Sequence, residues 1–179
     1  MIYRFFALAL LLAAPAQARV ASATPQGFEI VETASVAATP AEAYAALAQI
    51  GRWWNAAHSY SGDAANLSLE PRVGGCFCER MKDGGAIEHM RVVYAQPGVI
   101  LRLQGGLGPL QEEGAAGSLT WSIKPAGTGA EITQRYVVGG YVRMGMEKLA
   151  PIVDRVMAEQ FGRLKRHLDS GAVAAAKTR

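Results

Sequence analysis

Residues 147–169 read Glu-Lys-Leu-Ala-Pro-Ile-Val-Asp-Arg-Val-Met-Ala-Glu-Gln-Phe-Gly-Arg-Leu-Lys-Arg-His-Leu-Asp. Leu149, Ile152, Val153, Val156, Met157, Phe161, Leu164 and Leu168, with Gln160 among them, recur every three or four positions. That period draws one broad apolar stripe along a long helix. Arg163, Lys165, Arg166 and His167 crowd its last turns, where the helix dipole favours cations. Pro151 must lie in the first turn or kink the helix. Ser170-Gly171 is read as the end of the helix, with residues 171–179 a flexible Ala-rich tail. A stripe of this length needs an apolar face to cover it, and the residues before it must supply one.

They read as strands. Phe28 to Val36 alternates, and after it come Asn66–Glu70, Gly75–Met81, Ala86–Gln96, Val99–Gln104, Gly117–Lys124 and Ala130–Gly139. Most connections are short and turn-like, such as Lys82-Asp83-Gly84-Gly85 and Pro97-Gly98, so the sheet is expected to be antiparallel. Between the first two strands, Thr39-Pro40-Ala41-Glu42 has the form of a helix start: Thr39 as cap, Pro40 in the first position, Glu42 completing a capping box. This helix runs to about Ala48, and Arg52-Trp53-Trp54 forms a further helical turn. The expectation is an α+β domain. Seven antiparallel strands curve around one long C-terminal helix, with two short helices after the first strand. The space between sheet and helix is a natural pocket.

The 179 residues are half hydrophobic, and the formal charge is +3. This is one domain with a real core and is too apolar to be disordered. Of the first 18 residues, 15 are apolar; Arg4 precedes an unbroken run from Phe5 to Ala14, and Pro15-Ala16-Gln17-Ala18 follows. This is the form of a secretory signal peptide over residues 1–18, too short to span a membrane. Ala21-Ser22-Ala23 allows a cut as late as residue 23. The expected product is an exported protein, periplasmic or secreted, with one domain over residues 26–170. Without Arg4 the charge is +2, with no block of like charges. Nucleic acid is therefore not expected as a partner, nor is a membrane once the leader is removed. A homodimer is compatible with the sequence.

Several segments resemble a known family: Thr39-Pro40-Ala41-Glu42-Ala43-Tyr44, Trp53-Trp54, Gly74-Gly75-x-Phe77, Ala95-Gln96-Pro97-Gly98-Val99-Ile100-Leu101 and Thr133-x-x-Tyr136. Together they resemble the START-like, helix-grip superfamily, and most of all its bacterial polyketide cyclase and ATPase-activator-like branch. The resemblance covers about residues 28–170. It implies the helix-grip fold and a ligand pocket. The same scaffold serves lipid carriers, receptors, cyclases and co-chaperones, so it does not imply one reaction. The leader argues against the cytosolic co-chaperone role.

Alternation nominates the pocket lining. Phe77, Glu88, Met90, Leu103, Trp121, Gln134 and Tyr136 fall on the inner faces of their strands, and Met157 on the helix stripe. Trp53, Trp54, His58 and Tyr60 come from the segment Trp53–Gly62, read as a loop near the pocket mouth. In the hairpin Gly75–Gln96, a turn centred on Asp83-Gly84 sets Glu79 opposite Glu88. Two inward carboxylates so placed would share a proton or a cation, and general acid–base chemistry would follow. A slipped register would separate them, and a place at the open end would leave them solvated. His58 and Tyr60 are the other candidates for proton transfer. The same register puts Cys76, Cys78 and His89 on the opposite face. The alternatives there are free thiols, a disulfide, or a weak metal site that lacks a fourth ligand.

Two main functions remain open. One is an exported binding protein for a hydrophobic, aromatic or lipid-like molecule; the other is a cyclase- or dehydratase-like enzyme. A protein-interaction domain comes third. No cofactor is expected.

Overall fold

The computed structural model describes residues 20–177, with side chains to Gly171. The expected signal peptide lies outside the described residues. Eight antiparallel strands form one sheet: β1 (Val20–Thr24), β2 (Gly27–Val36), β3 (Leu67–Leu69), β4 (Cys76–Arg80), β5 (Ala86–Gln96), β6 (Ile100–Gly105), β7 (Ala115–Ala126) and β8 (Gly129–Gly140). Their order is β1-β2-β8-β7-β6-β5-β4-β3. The sequence predicted seven. The eighth, β1, pairs with β2 across a tight turn at Pro25-Gln26. It was missed because residues next to a cleavage motif were read as processing signal.

Helix α1 (Pro40–Ala48) begins as expected. The Thr39 hydroxyl accepts from the Glu42 N–H while the Glu42 carboxylate accepts from the Thr39 N–H, a complete capping box. Gln49 closes it, and α2 (Ile50–Trp53) follows at once. Helix α3 runs from Met146 to Lys177, eight residues past the expected end at Asp169. Gly171 lowers helix propensity by about 1 kcal/mol relative to Ala. It does not stop a helix whose next residues include four alanines. Pro151 lies inside α3. No helix among the described residues is long and apolar enough to cross a membrane.

The core lies between the concave face of the sheet and α3. Ile30, Leu47, Trp53, Leu101, Leu103, Leu119, Trp121, Phe161 and Leu164 are all buried there. Helix α3 packs against β1, β2, α1 and α2. It lies farther from the β3–β5 end, and that end holds the site.

Candidate functional site

The site depends on one irregularity in β5. The pairs Cys76↔Arg91 and Phe77↔Met90 obey simple antiparallel register, but the next pairs are Cys78↔Glu88 and Glu79↔Ile87. His89 is the extra residue of a β-bulge. A bulge turns every side chain beyond it to the other face. His89 and Met90, neighbours in sequence, are therefore both buried. Glu88, expected inside, is exposed and forms an ion pair with Arg91. The opposed pair Glu79–Glu88 does not exist, and Glu88 is not in the pocket. A second irregularity between Val92 and Tyr94 returns the pattern, so Tyr94 is exposed too.

Gly105, at the end of β6, accommodates the bulge. Its φ is +151°, and a Cβ there would meet the His89 carbonyl oxygen at 2.6 Å and the Met90 Cα at 2.9 Å. Only glycine lets the two backbones come this close.

Glu79 does face inward, as expected, and is fully buried. Its Oε2 accepts from the Tyr60 N–H at 3.1 Å and its Oε1 accepts from the Ser61 N–H. Oε2 also lies 3.1 Å from His89 Nε2. Burial raises its pKa, but the Ser61 hydroxyl and N–H, the Tyr60 N–H and His89 outweigh that, and the carboxyl is held below its ordinary value of 4.5. Burial lowers the His89 pKa below its ordinary 6.5, and Glu79 offsets only part of this. The pair at neutral pH is therefore an ionised carboxylate and a neutral imidazole. The Tyr60 ring stacks on His89 at 6.0 Å between centroids, and the Phe77 ring is 5.0 Å away.

Tyr60, Phe77 and His89 border a cavity of about 320 Å³ between the sheet and α3. From α3 come Leu149, Ile152, Val153, Val156 and Met157; from the sheet come Leu67, Phe77, His89 and Tyr136. Trp54 and residues 57–60 form one rim, and Leu107–Leu110 the other. The first rim is tied to α3. Asn55 N–H donates to Gln160 Oε1 at 2.7 Å, His58 Nε2 lies 3.1 Å from Glu159, and Arg163 Nε donates to the Trp53 carbonyl at 2.7 Å. The second rim carries the long loop after β6, which folds into a short 3-10 turn at Gly108–Gln111.

Of the expected lining, Trp54, His58, Tyr60, Phe77, Tyr136 and Met157 border the cavity. Trp53, Met90, Leu103, Trp121 and Gln134 do not; they are buried in the core around it. Trp53 spends its indole N–H on the Ala46 carbonyl at 3.0 Å. Trp121 donates to Gln134, and Gln134 donates to Glu32 at 2.8 Å, a buried polar chain under α3. Alternation identifies the inner face of a strand but not which part of that face meets the helix. His89 belongs to the site and was assigned to the wrong face. Two adjacent buried residues, His89-Met90, are the local signature that could have revealed the bulge.

Of the three alternatives for Cys76, Cys78 and His89, the bulge removes the weak metal site by turning His89 to the inner face. Cys76 and Cys78 are joined by a disulfide on the outer side of β4, and His89 points the other way. Cys76, Cys78 and Glu88 are near enough to one another to hold an ion, but the thiols are spent on each other.

With this geometry in place, three comparisons bear on the chain. The model of a family described as polyketide cyclase / dehydrase and lipid transport matches residues 27–169. Among solved structures, a protein from Rhodobacter sphaeroides is 20% identical, with TM-score 0.55, over 89% of this chain and 99% of that one. The di-domain ARO/CYC StfQ from the steffimycin biosynthetic pathway is 16% identical, with TM-score 0.55, over 83% of this chain and 52% of its own. The Aha1 dimer from Colwellia psychrerythraea is 17% identical, with TM-score 0.54, over 79% and 96%. At these identities the likeness is one of fold. The search of curated proteins found no match.

Proposed function

This chain belongs to the polyketide cyclase / dehydrase and lipid transport family, and from that membership we propose that it binds a hydrophobic or aromatic small molecule between its sheet and α3. The observation that carries this reading is the cavity itself. About 320 Å³ of space is walled by Trp54, Phe77, Leu149, Val153, Val156 and Met157. This is the size and lining expected of a small-molecule site. The neutral fluorophore N-phenyl-1-naphthylamine is the probe. It is expected to brighten and shift to the blue in saturable fashion on wild-type protein. Val156→Trp, which fills the cavity from α3, is expected to weaken binding at least tenfold while thermal unfolding stays cooperative. Equal affinity for both proteins would overturn the reading.

A second reading is favoured by one specific observation: His89 on the cavity wall, with the buried Glu79 carboxylate behind it at 3.1 Å. A neutral imidazole backed by an ionised carboxylate is the arrangement of a general base, so the cyclase- or dehydratase-like alternative acquires a candidate base. The residues expected for that role divide. Glu79 orients the base, Tyr60 covers it, His58 lies at the rim against Glu159, and Glu88 is outside.

We also infer export. The apolar first 18 residues supply the signal, and a Cys76–Cys78 disulfide suits an oxidising compartment. Cleavage after Ala18 keeps β1 whole, whereas cleavage after Ala23 removes most of it. The mass of the secreted chain should therefore begin at Arg19; an intact Met1 would contradict export.

A further inference from the structure

The cavity wall is apolar apart from a few groups, and most of those are already occupied. The Ser59 hydroxyl donates to the Ala56 carbonyl at 2.7 Å, His58 meets Glu159, and Tyr60 is at the partly exposed mouth. Two polar atoms are different. His89 Nδ1 and Tyr136 Oη are buried and have no hydrogen-bond partner among the described residues. His89 is 4% exposed and Tyr136 is 0% exposed, and both residues border the same cavity. The Leu107 backbone lies near the Tyr136 oxygen without completing a hydrogen bond. The remaining unpartnered buried atoms belong to Glu32, Asp154 and Gln160, none of which borders the cavity. Native proteins rarely leave buried polar atoms unpaired, and a pair of them on one pocket wall points to a ligand that pairs them.

The polarity of each atom follows from its surroundings. Glu79 takes N–H groups from Tyr60 and Ser61 on its two oxygens, so it is an acceptor. His89 Nε2, 3.1 Å from the same carboxylate, must then carry the ring hydrogen. That leaves Nδ1 as a lone-pair acceptor. The Tyr136 phenol, in an apolar wall, is a donor.

We propose that His89 Nδ1 and Tyr136 Oη are the paired polar anchors of the cavity, and that they select a ligand carrying both a hydroxyl and a carbonyl on an apolar ring frame. The hydroxyl donates to His89, and the carbonyl accepts from Tyr136. A carboxylate lipid cannot donate to Nδ1 and is disfavoured, which narrows the occupant from lipid-like to hydroxy-ketone-like. The proposal rests on the cavity being a ligand site.

The test uses four naphthalenes on the full exported chain. Wild type is expected to bind 2-naphthol about five- to tenfold more tightly than 2-methoxynaphthalene, and 2-acetylnaphthalene more tightly than 2-ethylnaphthalene by a similar ratio. His89→Phe is expected to erase the first preference and Tyr136→Phe the second, each leaving the other intact. Because His89→Phe also unpairs Glu79, a wild-type measurement accompanies it. The imidazole ¹⁵N spectrum should place the hydrogen on Nε2, and the Nδ1 resonance should move with 2-naphthol but not with its methyl ether. If all four probes bind and neither ratio departs from one, the anchors are refuted and the cavity reading stands. If none of the four binds, the cavity reading falls, and the anchors with it.

Discussion

Glu79→Ala should destabilise the protein by about 3 kcal/mol or more in urea unfolding at pH 7. The carboxylate is fully buried and serves three donors: the Tyr60 N–H, the Ser61 N–H and His89 Nε2. Each donor stranded in a buried site costs about 1–3 kcal/mol, less where water can reach it. The loop that carries Tyr60 would come off the end of the sheet, and His89 would lose the group that fixes its tautomer. Glu79→Gln keeps an acceptor and should cost about half as much. The effect depends on pH. Both Glu79 and His89 have lowered pKa values in the fold. As pH falls, the unfolded chain takes up protons first, His89 below about 6.5 and Glu79 below about 4.5. Their stabilisation is complete above those values and is lost as pH falls through the lower folded ones. Glu79→Ala should therefore cost most near neutral pH and least in strong acid. A cost below about 1 kcal/mol at pH 7, on the scale of an exposed ion pair, would contradict the buried dyad.

Glu32→Gln should do the opposite and stabilise the protein by about 2–3 kcal/mol at pH 8. Glu32 is 2% exposed, and its Oε1 has no hydrogen-bond partner among the described residues. Burial first, then the Asp154 charge, push its pKa to about 7, and the Gln134 side chain offsets only part of that. Asp154 is itself raised by burial, offset by Arg155, and its Oδ1 also lacks a partner among the described residues. Between the ordinary value of 4.5 and about 7 the folded chain keeps a proton that the unfolded chain has released. Stability is therefore lost as pH rises through that window, and the whole loss is felt at pH 8. Glutamine keeps an acceptor for Gln134 and carries no charge. Its gain should be near zero at pH 4, grow to about pH 7 and then level off. A gain independent of pH, or a loss at pH 8, would refute the assignment. The Glu32 slope opposes the His89 slope over an overlapping range, so the wild type should vary little with pH there.

How much of this was legible beforehand depended on the kind of residue. The bounds of α1 could be read because its determinants are local: Thr39, Pro40 and Glu42 set a helix start without reference to the rest of the chain. The same holds for β5, whose ends at Ala86 and Gln96 are marked by turn residues. The orientation of side chains along β5 was not legible. A period of two carries the face from Glu88 to Tyr94 only if no residue is inserted, and the bulge at His89 inserts one. The cause of that bulge lies partly in Gly105, sixteen residues away in sequence and in contact only once the sheet has formed. Glu79 was correctly placed inside, on the unshifted strand. Its partner was misidentified because the partner strand had shifted. The buried residues Trp121 and Gln134 were on the inner face as read, but Trp121 packs edge-on against Trp53 of α2 and Gln134 reaches the Met157 carbonyl of α3. Where the helix axis crosses the sheet is a tertiary property that no strand pattern encodes.

The space between the sheet and α3 is proposed here as a ligand site. It is tested most directly by the methyl resonance of Met157, which is fully buried and borders the cavity. In protein labelled with ¹³C-methyl methionine and titrated with N-phenyl-1-naphthylamine, that resonance should shift with the fluorescence isotherm as the probe rings approach. The exposed Met144, outside the cavity lining, should remain in place. A Met157 resonance that stays fixed while the probe saturates would place the binding elsewhere and contradict the account.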